Sequence, residues 1–116
     1  MYEIKFTTVT GSDWAERIEC INDETGGPLT DVNTGTIELQ VQDRNSCVMF
    51  TLSTEDATIT RPESGAFQWR RATADLGSLC KGTTYRVGCR HIDGSGNTSA
   101  LFTGSLAYLD GEFEWQ

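Results

Sequence analysis

His91 is the only histidine of the chain, so imidazole catalysis would have to be built around it. A general base needs a nucleophile or carboxylate within hydrogen-bond reach, and no recognised motif brings one to His91. It reads as a surface or core-edge residue. Cys20, Cys47, Cys80 and Cys89 contain no CxxC pair, and separations of 27, 33 and 9 residues match no zinc module. Asp93-Gly94-Ser95-Gly96-Asn97 offers oxygens at alternate positions, as a calcium loop does. It lacks the distal bidentate Glu and lies where a strand must reverse, so it reads as a glycine-rich hairpin turn. Seventeen acidic residues permit some carboxylate pair in any fold, so their abundance is no argument for glycoside hydrolysis. No residue is assigned a catalytic, cofactor-binding or metal-ligating role.

Contact chemistry is better represented than reactive chemistry. Arg70, Arg71, Arg86 and Arg90 form the only basic grouping, on segments that also carry Trp69 and Tyr85. Guanidinium and aromatic groups together suit an interface, although solvated strand faces explain them equally well. Tyr108, Phe113 and Trp115 are the candidate interface residues: exposed, they would give contact area to a protein or stacking faces to a sugar. The stretch from Ser99 to Leu109 has neither charge nor proline, the usual guards of a sheet edge. It is therefore the expected docking strand, with residues 110–116 as a polar-rimmed contact.

These groups must be positioned by strands. Ile4 and Phe6 alternate with Glu3, Lys5 and Thr7, and Trp14, Ile18 and Cys20 share one parity before the turn-rich loop from Asn22 to Gly35. Ile37, Leu39 and Val41 alternate with Glu38, Gln40 and Gln42, and the β pattern resumes at Cys47–Ser53, which predicts a hairpin. A short strand at Ala57–Thr60 and another carrying Phe67 and Trp69 predict a second hairpin around Arg61-Pro62-Glu63-Ser64-Gly65. Thr73 is placed as the cap of a brief helical turn through Leu79. Thr84–Ile92 and Ser99–Leu109 complete the set. In Leu79-Cys80-Lys81-Gly82-Thr83-Thr84-Tyr85 the spacing of Leu, Gly and Tyr predicts a corner, where the Tyr hydroxyl bonds back to the upstream backbone.

The 116 residues fit one domain, and 37% apolar content is enough for one core without obligatory staples. A net charge of −8 argues against nucleic acid and membrane surfaces as partners. The start lacks a basic segment followed by an apolar run, so folding in the cytosol with mostly free thiols is expected. About eight short strands predict an all-β sandwich with Ile4, Phe6, Ile18, Ile37, Leu39, Val41, Phe50, Leu52, Ile59, Phe67, Trp69, Tyr85 and Val87 in its core.

From Asp13 to Glu114 the order of features resembles small tailed-phage and prophage proteins akin to the N-terminal domain of phage baseplate upper proteins. The stretches that carry the resemblance are Asp13-Trp14-Ala15-Glu16-Arg17, Gly27-Pro28-Leu29-Thr30-Asp31, Gly35 to Val41, Thr58 to Gly65, Leu79 to Tyr85, and Phe102-Thr103-Gly104-Ser105-Leu106. The resemblance implies an all-β, antiparallel two-sheet immunoglobulin-like sandwich. It also implies a virion building block without catalytic residues or cofactor, made in the bacterial cytoplasm and then carried in the virion. Its partners would be other tail or virion proteins, with a homo-oligomer possible, and Cys20 and Cys89 could then face each other across the core. A carbohydrate- or surface-binding sandwich is the second reading. The chain ends at Gln116 without the long receptor-binding extension of the baseplate proteins.

Overall fold

The computed structural model describes residues 2–110. Apolar alternation in β-rich segments yields strands β1 (Tyr2–Val9), β2 (Trp14–Glu19), β3 (Thr36–Gln42), β4 (Val48–Ser53), β5 (Ile59–Thr60), β6 (Ala66–Arg71), β7 (Thr83–Ile92) and β8 (Thr98–Leu109). They form a five-stranded sheet in the order β1-β8-β7-β3-β4 facing a three-stranded sheet in the order β2-β6-β5. The hairpins expected for β3–β4, β5–β6 and β7–β8 are all present. No helix among the described residues is long and apolar enough to cross a membrane.

Two expectations about strand placement change. β8 is no edge: it lies between β7, antiparallel, and β1, which joins it in parallel from Tyr2↔Phe102 to Val9↔Leu109. From Phe102 to Leu109 β8 is therefore covered on both sides, so the absence of charge and proline there marks no free edge for docking, and only residues 99–101 run past the β1 register. The sheet's edges are β1 and β4. The parallel pair also makes the five-stranded sheet mixed, because the chain must enter beside β8 and cross to the other sheet through the turn at Gly11 (φ 86°).

The core lies between the sheets. Phe6, Trp14, Phe50, Phe67, Trp69 and Phe102 meet in a continuous set of ring contacts. Ile4 and Ile18, expected in this core, are only half-buried against its margin. Val32, Leu76 and Leu79 join it from the loops. Val32 sits in a 3₁₀ turn (Thr30–Asn33) within the long loop. Hydrogen bonds from neighbouring segments pin that loop, among them Arg61 Nε donating to Val32 O (2.8 Å), the Gly65 amide donating to Asn33 Oδ1 (2.8 Å), and His91 Nε2 lying 2.6 Å from Thr34 O.

The corner at Tyr85 forms as expected, with the Cys80 amide donating to the Tyr85 hydroxyl oxygen at 2.6 Å. Tyr85→Phe leaves that N–H without its partner and is expected to cost about 1–3 kcal/mol, read as a lower denaturation midpoint at unchanged m-value. The preceding 3₁₀ turn (Thr73–Leu76) is shorter than expected and begins after Ala72 with no side-chain cap. Thr73 does not cap it, because its amide and hydroxyl both donate to Asp13 Oδ1 (2.9 and 3.1 Å). These bonds, the backbone one first, together with Arg70 hold the Asp13 carboxyl below its ordinary range.

Candidate functional site

Residues 84, 86, 88 and 90 of β7 share the solvent-facing parity, while Tyr85, Val87 and Cys89 enter the core. The same alternation on β3 sends Ile37, Leu39 and Val41 inward and leaves Glu38, Gln40 and Gln42 half-buried on the outer face. Registers align these strands into one row across the whole sheet: Glu3, Thr103, Gly88, Gln40 and Thr51. Gly88 stands at its middle with no side chain, and nothing lies within 4 Å of where its Cβ would be. The result is an open groove of about 550 Å³ floored by Gly88, with Glu3, Glu38, Gln40, Gln42, Arg86 and Arg90 among its walls.

Hydrogen bonds orient much of this wall. Gln42 Nε2 donates to Gln40 Oε1 (2.8 Å), and Gln40 Nε2 reaches Thr51 Oγ1 (3.4 Å). Arg90 donates to Glu38 Oε1 through Nε (3.1 Å) and Nη2 (3.0 Å). Among the described residues Arg86 reaches only a neutral acceptor, Ser46 Oγ at 3.2 Å, so no carboxylate among them neutralises its charge. Amides, hydroxyls, carboxylates and one guanidinium without a carboxylate partner can hydrogen-bond and ion-pair a polar surface.

The residues singled out in the sequence are dispersed. Tyr108 is 6% exposed and belongs to the core, so its ring offers no contact face; its parity on β8 is that of Phe102 and Leu106. Phe113 and Trp115 lie outside the described residues. The arginine grouping divides between the two sheets: Arg70 pairs with Asp13 on one, Arg86 and Arg90 lie on the other, and Arg71 packs over the Phe50 ring at 4.0 Å. His91 is buried at the edge of the core. Asp93–Asn97 is a turn in which Asp93 Oδ1 accepts the Ser95 and Asn97 amides, each at 2.9 Å. Among the described residues no group of three or more His, Cys, Asp or Glu is placed to hold a metal ion. Cys47 and Cys80 are exposed, Cys20 is half-buried and Cys89 is buried, all as free thiols. Burial, then the nearby Cys20, pushes the Cys89 thiol well above its ordinary range.

The groove residues Glu38, Gln40, Gln42, Gly88 and Thr103 were missed by a search for reactive groups. Two signals were present: long polar side chains at three successive outward positions of β3, and a glycine inside a strand, which marks close approach or an unfilled site.

A second shallow depression on the smaller sheet includes Glu16, which has the inward parity of its edge strand. Burial raises its carboxyl above the ordinary value. An acid raised on folding favours the folded state while protonated, and that contribution is lost as pH rises through the folded value. Glu16→Gln is therefore expected to raise the melting temperature at neutral pH and to make no difference below about pH 4.

Two facing sheets joined in this order define the class: the chain is an immunoglobulin-like β-sandwich. CopC from Methylosinus trichosporium OB3b is similar over 96% of this chain and 89% of its own, with TM-score 0.53 and 9% identity. The immunoglobulin-like domain of mouse leukocyte-associated immunoglobulin-like receptor 1, solved as a strand-swapped dimer, is similar over 90% and 88%, with TM-score 0.50 and 10% identity. At such identities the likeness is one of fold alone. No protein-family model and no curated protein matches the chain.

Proposed function

We propose that this domain is a non-catalytic interaction module of a phage or prophage tail, docking on another virion protein through the outer face of its five-stranded sheet. The supporting observation is the polar row Glu3-Thr103-Gly88-Gln40-Thr51, which crosses the entire sheet and opens a groove at Gly88. The tail assignment comes from the ordered sequence resemblance to baseplate proteins. Groove and resemblance together favour a protein partner that brings carboxylates to Arg86 and hydrogen-bonding groups to Gln40 and Thr103. The net charge of −8 disfavours nucleic acid and membrane. In this reading the chain is made in the bacterial cytoplasm and carried in the virion.

A carbohydrate-binding module is the alternative, favoured by the amides and hydroxyls of the same groove. Against it, the outward-facing groove residues include no aromatic ring, the usual stacking surface for a sugar; Phe102, which borders the groove, is a core residue 2% exposed. Presenting the full chain to a glycan array and to purified phage particles from cells that encode it separates the two. Binding to particles without saturable sugar binding supports the tail module, and saturable sugar binding without particle binding overturns it.

A further inference from the structure

The four strand edges of the sandwich differ in how they are guarded. β5 has two residues, too few to template another strand. β4 carries a bulge opposite Val41/Gln42, and the Thr58 hydroxyl occupies both edge groups of Ser53, accepting from its amide (2.8 Å) and donating to its carbonyl (3.2 Å). β2 turns the half-buried Glu16 inward, a recognised block to pairing. β1 runs for eight residues without bulge or proline through its register with β8, and it carries no inward-facing charge.

Among the described residues no strand covers the outer edge of β1, and the groups on that edge are assigned by parity. The Thr10 amide donates to Leu109 O at 2.9 Å, so in a parallel ladder Thr8, Phe6 and Ile4 also turn their backbone groups toward β8. A Cβ on Gly104 would lie 1.8 Å from Ile4 O, consistent with that alternation. Glu3, Lys5 and Thr7 therefore turn their amides and carbonyls away from the sheet. The exposed side chains nearest that edge, Glu3 and Lys5, have opposite charges two residues apart.

We infer that β1 pairs antiparallel with β1 of a second copy about a two-fold axis at Ile4, joining two five-stranded sheets edge to edge. In that register Glu3 faces the partner's Lys5, and Lys5 faces the partner's Glu3. The two positions exchange backbone hydrogen bonds, and the half-buried Ile4 meets its own equivalent on the inner side. Charges that repel most strands become complementary to this one sequence when it is reversed. They select partner and register more than they add affinity, so the dimer is weak and reversible. This pairing shares Glu3 with the docking row proposed above but does not rest on that docking, and its test involves no particle.

Sedimentation velocity of the full chain over a wide concentration range tests it. Wild type is expected to show a reversible monomer–dimer equilibrium. K5E places Glu against Glu on both sides of the axis and should weaken that equilibrium at least about tenfold. E3K should do the same, while the double swap E3K/K5E, or an equimolar mixture of the two single variants, should restore pairing. Hydrogen exchange at Lys5 and Phe6 in the wild type supplies a reading that needs no variant: the Lys5 amide, turned toward the partner, should slow with concentration, and the Phe6 amide, turned toward β8 already in the monomer, should not. A chain monomeric at every concentration, or a dimer that K5E leaves unchanged or the double swap fails to restore, overturns the inference.

Discussion

Replacing Trp69 by alanine is expected to destabilise the domain by roughly 3–5 kcal/mol, a large share of the ~5–15 kcal/mol that holds a domain folded. Trp69 is 3% exposed and stands at the junction of the two sheets. Its ring centroid lies 5.4 Å from that of Trp14 and 5.9 Å from that of Phe6, both edge-on, and it stacks on Phe67 at 6.3 Å. Truncation leaves a cavity whose walls belong to three strands in two sheets, so no single element can close it. Thermal unfolding should show a drop of more than about 10 °C. Trp69→Phe should lose far less, because the buried Trp69 Nε1 has no hydrogen-bond partner among the described residues, and removing it relieves the cost of an unsatisfied donor while keeping most of the ring. A melting temperature unchanged by Trp69→Ala would remove this residue from the core.

Gly104→Ala is the second large effect. Gly104 faces Ile4 across the parallel pair, and a Cβ there would lie 1.8 Å from Ile4 O and 2.9 Å from Ile4 C. Both are backbone atoms and cannot rotate aside. β1 must move away from β8, which breaks the parallel ladder and withdraws Phe6 from the aromatic cluster, at a cost of roughly 3 kcal/mol. The expected signature is a lower melting temperature with fast amide exchange confined first to residues 4–8. Gly88→Ala is the control, since nothing lies within 4 Å of its Cβ, and it should melt as the wild type does.

The two-sheet sandwich was legible because the apolar alternation of β3, β6 and β7 carries into the fold: Ile37, Leu39, Val41, Phe67, Trp69, Tyr85 and Val87 are all buried as their parity requires. The Tyr85 corner was legible because its geometry is local, within six residues of Leu79. Strand order was not. An uncharged run such as Ser99–Leu109 reads the same whether the strand is an exposed edge or is covered on both sides, and only the long-range partner β1 decides between them. The groove eluded a search by residue type for the same reason. Glu3, Gln40, Thr51, Gly88 and Thr103 are spread over nearly the whole chain and become neighbours only through four strand registers. Arg61, which holds the long loop through carbonyls that no side-chain pattern reveals, was hidden likewise.

The proposal that the outer face of the five-stranded sheet docks on a virion protein is tested most directly by sedimenting phage particles from cells that encode the chain, with wild-type domain, Arg86→Glu or Gly88→Gln added. Both substitutions leave the core untouched: the Arg86 side chain faces outward, and a side chain at position 88 enters the open groove. Wild-type domain should sediment with the particles, and both variants, folded and melting as wild type does, should stay in the supernatant. Equal sedimentation of all three, or wild-type domain that stays in the supernatant, would contradict the account.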